Sequence, residues 1–228
     1  MPPSNPSLQA LTHEPTGGTA DWCLVALHGW GANAADLMGL APYLSLQNFS
    51  MIFPHAPWPH PQVPEGRMWY SFPTGYDFRR SHNFTTQADL QTSQERLKSW
   101  LIDLPKATRI PLERTILAGF SQGGAMTLDL GPQLPLAGQI ILSGYLHSAA
   151  QAPVSPRSVM MVHGTFDSVV PIALARQAHS ALKALGQPVD WHEIAAGHEI
   201  PPQIMELIRG FCEDLRQSAG NISTRPLG

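Results

Sequence analysis

No run of lysine or arginine appears anywhere in this chain, and charged residues of both signs make up only 14% of it. With 14 basic against 17 acidic residues the formal net charge is −3. A nucleic-acid surface needs clustered positive charge, so nucleic acid is excluded as the expected partner. Long apolar runs are missing as well, and no stretch approaches the ~20 residues of a transmembrane segment. The first residues, MPPSNPSLQALTHEP, have neither a basic start nor an apolar segment of signal-peptide length. A soluble, cytoplasmic protein is expected. Cysteine is scarce: Cys23 falls in an apolar strand pattern and Cys212 on the apolar side of a late helix. Two such residues read as buried free thiols, not as a disulfide framework. No internal repeat is present.

What is there suffices for one sizeable core, with 43% hydrophobic residues in 228. Residues 1–20 read as a flexible N-terminal segment, 21–216 as one domain and 217–228 as a disordered polar tail. WCLVAL (22–27) and FSMIF (49–53) are apolar runs of strand length. Between them Asn33 is placed to cap a helix carrying Leu37, Leu40 and Leu44. Residues 54–83 hold too much proline for a regular element and form a long loop, a kind that is often functional. Leu90, Leu97, Leu101 and Leu104 mark one face of the next helix. Strand and helix patterns then alternate: RTILAG, QGGAMTLDL, GQIILSG, RSVMMVHG, a helix over 171–185, VDWHEI, and a last helix with Ile204, Leu207, Ile208, Phe211 and Leu215. This alternation predicts an α/β fold, a mostly parallel sheet with helices on both faces. Ligands in such sheets gather beyond the carboxyl ends of the strands, so reacting groups are expected directly after several strands.

Gly119-Phe120-Ser121-Gln122-Gly123 matches G-x-S-x-G, a weak pattern by composition alone. An apolar strand before it and a helix-compatible stretch after it supply the strand–turn–helix context of a nucleophile elbow. The bland alternative is a tight packing turn that happens to contain Ser121. A nucleophilic serine needs a base, and ten histidines compete for the role. His28 and His163 precede glycines at strand ends and read as groups that pack or hydrogen-bond around those turns. His192 lies within a strand, His13, His147 and His179 have no motif around them, and His55, His60 and His82 match no metal-binding spacing, so no metal is expected. His198, in AAGHEI, lies after the last strand on the expected edge, where an imidazole can act first as base and then as acid. Asp167, in HGTFDSVVP, is the carboxylate best placed to orient it; its bland alternative is a helix cap. Ser121, Asp167, His198 is the chain order of α/β-hydrolase triads. For an oxyanion hole the donors are the backbone N–H of Gln122, just after the serine, and that of Trp30 in LHGWGAN, against the alternative of an ordinary Gly-rich turn.

With LHGWGAN, MWYSFP, GFSQGGAM, HGTFDSVVP and GHEI in that order, the chain from about 21 to 215 resembles the phospholipase/carboxylesterase family of α/β-hydrolases, which includes the acyl-protein thioesterases. The resemblance implies the α/β-hydrolase fold and cofactor-free esterase or thioesterase activity. It gives Ser121, Asp167 and His198 the triad roles and Trp30 and Gln122 the oxyanion-hole roles, with Trp30 bulkier than the leucine often found there. Met68, Trp69, Phe72 and Tyr76 fall in the family's variable loop region, where they either line an apolar groove or pin the loop to the surface. The substrate expected is a small-molecule or lipid acyl ester, or a lipidated protein. Apolar surface at the loop would receive that substrate or support a homodimer.

Three rivals stand beside this reading. A serine peptidase uses the same triad on amides, whereas a dienelactone hydrolase would more naturally carry cysteine at position 121. An acyltransferase would pass the acyl-enzyme to an alcohol. A non-catalytic binding protein would have kept the fold alone.

Overall fold

The computed structural model describes residues 7–15, 18–80, 84, 86–154 and 157–223, for the last three of these the backbone only. In chain order the elements are β1 (Ala10–His13), β2 (Trp22–Leu27), α1 (Ala34–Met38), α2 (Ala41–Leu44), β3 (Phe49–Pro54), β4 (Trp58–Pro59), β5 (Arg67–Met68), α3 (Ala88–Thr108), β6 (Thr115–Phe120), α4 (Gln122–Leu130), β7 (Gly138–Leu142), β8 (Ser158–Gly164), α5 (Ile172–Ala184), β9 (Val189–Ile194) and α6 (Pro202–Ser223). Seven strands form one sheet in the order β1-β3-β2-β6-β7-β8-β9, and every pairing is parallel except β1 against β3. Parallel neighbours end on the same edge. Leu27 therefore lies beside Gly119, and Gly164 beside Ile194.

Alternation along each strand divides the core into two layers. Cys23, Val25, Leu27 and Leu117 pack with Leu97 and Leu101 of α3 and with Trp69. Leu24, Ile116 and Ile140 face the other way, onto Ile204, Ile208 and Cys212 of α6. Each fully buried leucine of these layers contributes about 2 kcal/mol. Cys23 and Cys212 are buried free thiols, and burial raises both thiol pKa values, that of Cys23 to about 12.

Four expectations are corrected. Residues 10–13 are not flexible: Ala10 to His13 pair with Pro54 to Met51 as an antiparallel edge strand, too short to stand out in the sequence. The helix after Asn33 is two helices. Asn33 and Asp36 form a capping box on α1, Gly39 ends it, and Pro42 sits in the first turn of α2, where it lacks the N–H that would continue α1. The 54–83 loop contains a two-residue ladder, Trp58 to Met68 and Pro59 to Arg67. Finally, α6 continues past Arg216 to Ser223, because amphipathic spacing carries Leu215 and Ala219 along the core face. Residues 1–6, 81–83 (with His82) and 224–228 lie outside the described residues.

Candidate active site

Ser121 occupies the single residue between β6 and α4, with φ 55° and ψ −115°. A positive φ is costly for a residue with a Cβ, so the surrounding packing has to enforce it. Two glycines do this by close approach. A Cβ on Gly119 would stand 2.2 Å from the Gly123 carbonyl oxygen, and one on Gly123 2.2 Å from that of Leu27. The turn thus presses against the end of β2 and holds the serine hydroxyl above the sheet edge.

His198 reaches this hydroxyl from the segment after β9. Its Nε2 lies 2.9 Å from Ser121 Oγ and its Nδ1 2.7 Å from Asp167 Oδ2. A carboxylate oxygen only accepts, so Nδ1 carries the proton and Nε2 is free to accept the serine O–H. The Asp167 side chain is wholly buried, while that of His198 keeps 17% of its surface exposed. Burial alone would raise the Asp167 pKa. The His198 hydrogen bond and the backbone N–H groups of Val170 and Val169 outweigh it and hold the carboxyl below its ordinary value. These amides donate to Oδ1 at 2.8 and 2.9 Å. One oxygen of Asp167 thus fixes the turn before α5, whose N-cap is Pro171, and the other faces the imidazole.

The other two histidines at strand ends hydrogen-bond around their turns. His28 donates from Nδ1 to the Gly29 carbonyl at 2.8 Å and accepts from Ala56 N–H on Nε2 at 3.0 Å. Burial lowers its pKa to about 4, so it is neutral. His163 donates from Nε2 to the Val170 carbonyl at 2.8 Å, and burial lowers its pKa too. Among the described residues no group of three or more His, Cys, Asp or Glu could hold a metal ion.

The turn after His28 runs beside the serine: a Cβ on Gly29 would contact Ser121 Cβ at 3.5 Å. Among the described residues the backbone N–H groups of Trp30 and Gln122 find no acceptor. The Trp30 indole leans edge-on against His60 at 4.1 Å and against Phe72 at 5.8 Å. It forms one wall of an open groove of about 640 Å³, with Phe72, Tyr76, Phe78 and Val169 among the others.

Of the four loop residues expected at such a groove, Phe72 and Tyr76 line it, while Met68 and Trp69 do not. Trp69 is fully buried, its indole N–H donating to the His28 carbonyl at 3.0 Å, so it pins the loop instead. Sequence reading also missed Phe78, two residues past Tyr76 in the same aromatic run, and Phe120, whose ring lies 4.8 Å from the His198 imidazole. Phe120 sits at a variable position of G-x-S-x-G, where the pattern carries no signal.

Comparison with known proteins agrees with this architecture. The family model for phospholipases/carboxylesterases matches residues 14–215. Acyl-protein thioesterase 1 of Gibberella zeae is 28% identical over 204 residues, covering 81% of this chain and 83% of that protein. Lysophospholipase-like protein 1 of Mus musculus is 26% identical over 227 residues, covering 92% of each. The crystal structure of esterase PE8 superposes with a TM-score of 0.82 at 28% identity, covering 92% of this chain and 99% of that one.

Proposed function

This chain belongs to the phospholipase/carboxylesterase family, and we propose that it hydrolyses carboxylic esters or thioesters of acyl chains with Ser121 as nucleophile, His198 as general base and acid, and Asp167 as the group that orients the imidazole. The observation that carries this reading is the unbroken pair of hydrogen bonds, Ser121 to His198 at 2.9 Å and His198 to Asp167 at 2.7 Å.

In this reading Ser121 Oγ attacks the acyl carbonyl carbon while His198 Nε2 takes its proton. The resulting imidazolium is stabilised by the ionised Asp167, whose lowered pKa keeps it charged. Negative charge gathers on the former carbonyl oxygen, where the Gln122 and Trp30 N–H groups receive it; one such donor is worth roughly 10²–10³ in rate. His198 then returns the proton to the leaving alcohol or thiol, which departs and leaves the acyl-enzyme. A water molecule, deprotonated by the same imidazole, attacks that ester and releases the acid. The acyl chain lies in the groove lined by Trp30, Phe72, Tyr76 and Phe78, whose aromatic walls suit an apolar chain.

Replacing Ser121 by Ala tests the assignment. Turnover of a p-nitrophenyl ester is expected to fall by roughly 10⁴-fold or more, fluorophosphonate labelling to disappear, and the melting temperature to stay near that of the wild type. An Ser121→Ala protein that kept near-wild-type turnover would overturn it.

A further inference from the structure

We propose that Tyr70, His147 and Asp129 form a buried positioning relay that sets the spacing of the two oxyanion donors, by anchoring the short segment that joins them. The inference rests on the assignment of the Trp30 and Gln122 N–H groups given above.

Residues 67–70 touch both halves of the oxyanion hole. At one end Arg67 pairs with the loop that bears Trp30: Gly31 N–H donates to the Arg67 carbonyl at 2.9 Å, and Arg67 N–H to the Ala32 carbonyl at 2.8 Å. The Trp69 indole N–H adds a bond to the His28 carbonyl at 3.0 Å. At the other end the Gln122 side-chain amide is held twice, accepting from Trp69 N–H and donating to the Tyr70 carbonyl, both at 2.8 Å. Four consecutive residues therefore fix the Trp30 turn relative to the first residue of α4. Any slippage of this segment changes the distance between the two N–H groups.

Ser93 of α3 donates to the Trp69 carbonyl and Asp89 accepts from Ser71 just beyond the segment, while the tie of residues 67–70 to the far end of α4 is the Tyr70 side chain. Its hydroxyl lies 2.6 Å from His147 Nε2, and His147 Nδ1 lies 2.5 Å from Asp129 Oδ2, which also accepts from the Gln94 amide at 2.6 Å. The Tyr145 hydroxyl contacts that of Tyr70. Burial raises the pKa of both phenols, which stay protonated. Every proton then has a place: Tyr145 donates to Tyr70, Tyr70 to His147 Nε2, and His147 from Nδ1 to Asp129. The carboxylate is the common sink. A phenylalanine would keep the ring's packing and leave His147 Nε2 and the Tyr145 hydroxyl without this partner, so the hydroxyl acts through its hydrogen bonds. Asp129 is on the last turn of α4, and Gln122 is its first residue. The segment is thus fastened to that helix at both ends, and α4 is the element that presents one oxyanion donor.

The test compares Tyr70→Phe, Asp129→Asn and the double variant with the wild type, using a p-nitrophenyl ester, its thiono analogue (C=S for C=O) and an aliphatic trifluoromethyl ketone. Sulfur is larger and a weaker acceptor, so well-placed donors favour the oxygen ester. Each single variant is expected to lower kcat on the oxygen ester roughly tenfold to a hundredfold, with KM within about threefold. The oxygen-to-sulfur rate ratio and the affinity for the ketone should fall by a similar factor. The double variant should be little worse than either single one, since both break the same chain. An unchanged kcat, or a lower melting temperature with an unchanged oxygen-to-sulfur ratio, would overturn the relay as a positioning device. If Tyr70→Phe does not fold, Asp129→Asn carries the same two outcomes. A wild-type enzyme with no preference for oxygen over sulfur would overturn the donor assignment and the relay with it. An active Ser121→Ala would instead sink the nucleophile assignment.

Discussion

The Phe120 ring lies 4.8 Å from the His198 imidazole, tilted by 39°, so the residue just before Ser121 is also the surface on which the His198 ring rests. Phe120 projects from the end of β6, while His198 comes from the segment after β9, across the sheet. Truncating the ring frees the imidazole to rotate away from Ser121 without removing any hydrogen-bonding group. Phe120→Ala is expected to lower kcat roughly tenfold with little change in KM, and Phe120→Leu to restore most of it. Steady-state kinetics on a short p-nitrophenyl ester separates the two parameters.

Gly123 is fixed by the end of β2, not by its own dihedral angles. A Cβ there would lie 2.2 Å from the Leu27 carbonyl oxygen and 2.8 Å from that of His28. Backbone must move to admit it, and the backbone that moves carries the Trp30 turn. Gly123→Ala is expected to destabilise the fold by about 3 kcal/mol and to slow fluorophosphonate labelling of the fraction that folds. Urea denaturation gives the first quantity and labelling kinetics the second.

Burial of His28 makes stability depend on pH. Its pKa is lowered to about 4 in the fold, against an unfolded value of about 6.5. Between those values the unfolded chain binds more protons than the native one, so stability rises with pH. The contribution is complete above pH 6.5 and is lost as pH falls toward 4. His163, also shifted down by burial, acts in the same direction, whereas Asp167 acts only below its unfolded value of 3.8. Urea midpoints measured from pH 7 to 4.5 should fall for the wild type. For His28→Asn they should start lower and fall less steeply.

The meeting of Ser121, Asp167 and His198 was legible because each lies shortly after a strand, and strand ends of a parallel sheet share one edge. The glycine spacing around Ser121 and the HG-x-x-D pattern marked the turns that carry them. The relay was not legible. Tyr70 and His147 are 77 positions apart, and His147 has no motif around it. Nothing in the local pattern of QGGAMTLDL says that Asp129 points at a histidine beyond the next strand. Trp69 and Phe72 were equally ambiguous, since an aromatic residue in a Pro-rich loop reads the same whether it faces the core or a groove. The edge strand β1 escaped notice because four residues carry too little alternation to be distinguished from a loop.

Three large apolar side chains stay exposed in the segments that carry Asp167 and the Trp30 turn: Phe166 at 73%, Val169 at 50% and Trp30 at 43%. Phe166 and Val169 flank Asp167, and Val169 and Trp30 both line the groove. In the proposed reading, an apolar substrate held in this groove would cover Trp30 and Val169 and extend toward Phe166. A short ester would leave Phe166 uncovered, while a long acyl chain or its lipid neighbour would bury it. Each additional buried CH₂ is worth about 0.8 kcal/mol, or roughly fourfold in kcat/KM. For matched oxygen esters and thioesters, kcat/KM is therefore expected to climb with chain length until the groove is filled. Phe166→Ser should flatten that climb and leave the shortest ester untouched. A wild-type optimum at the shortest oxygen ester, unaffected by Phe166→Ser, would mean that the exposed side chains do not meet the acyl chain and that the proposed enzyme is a small-ester carboxylesterase.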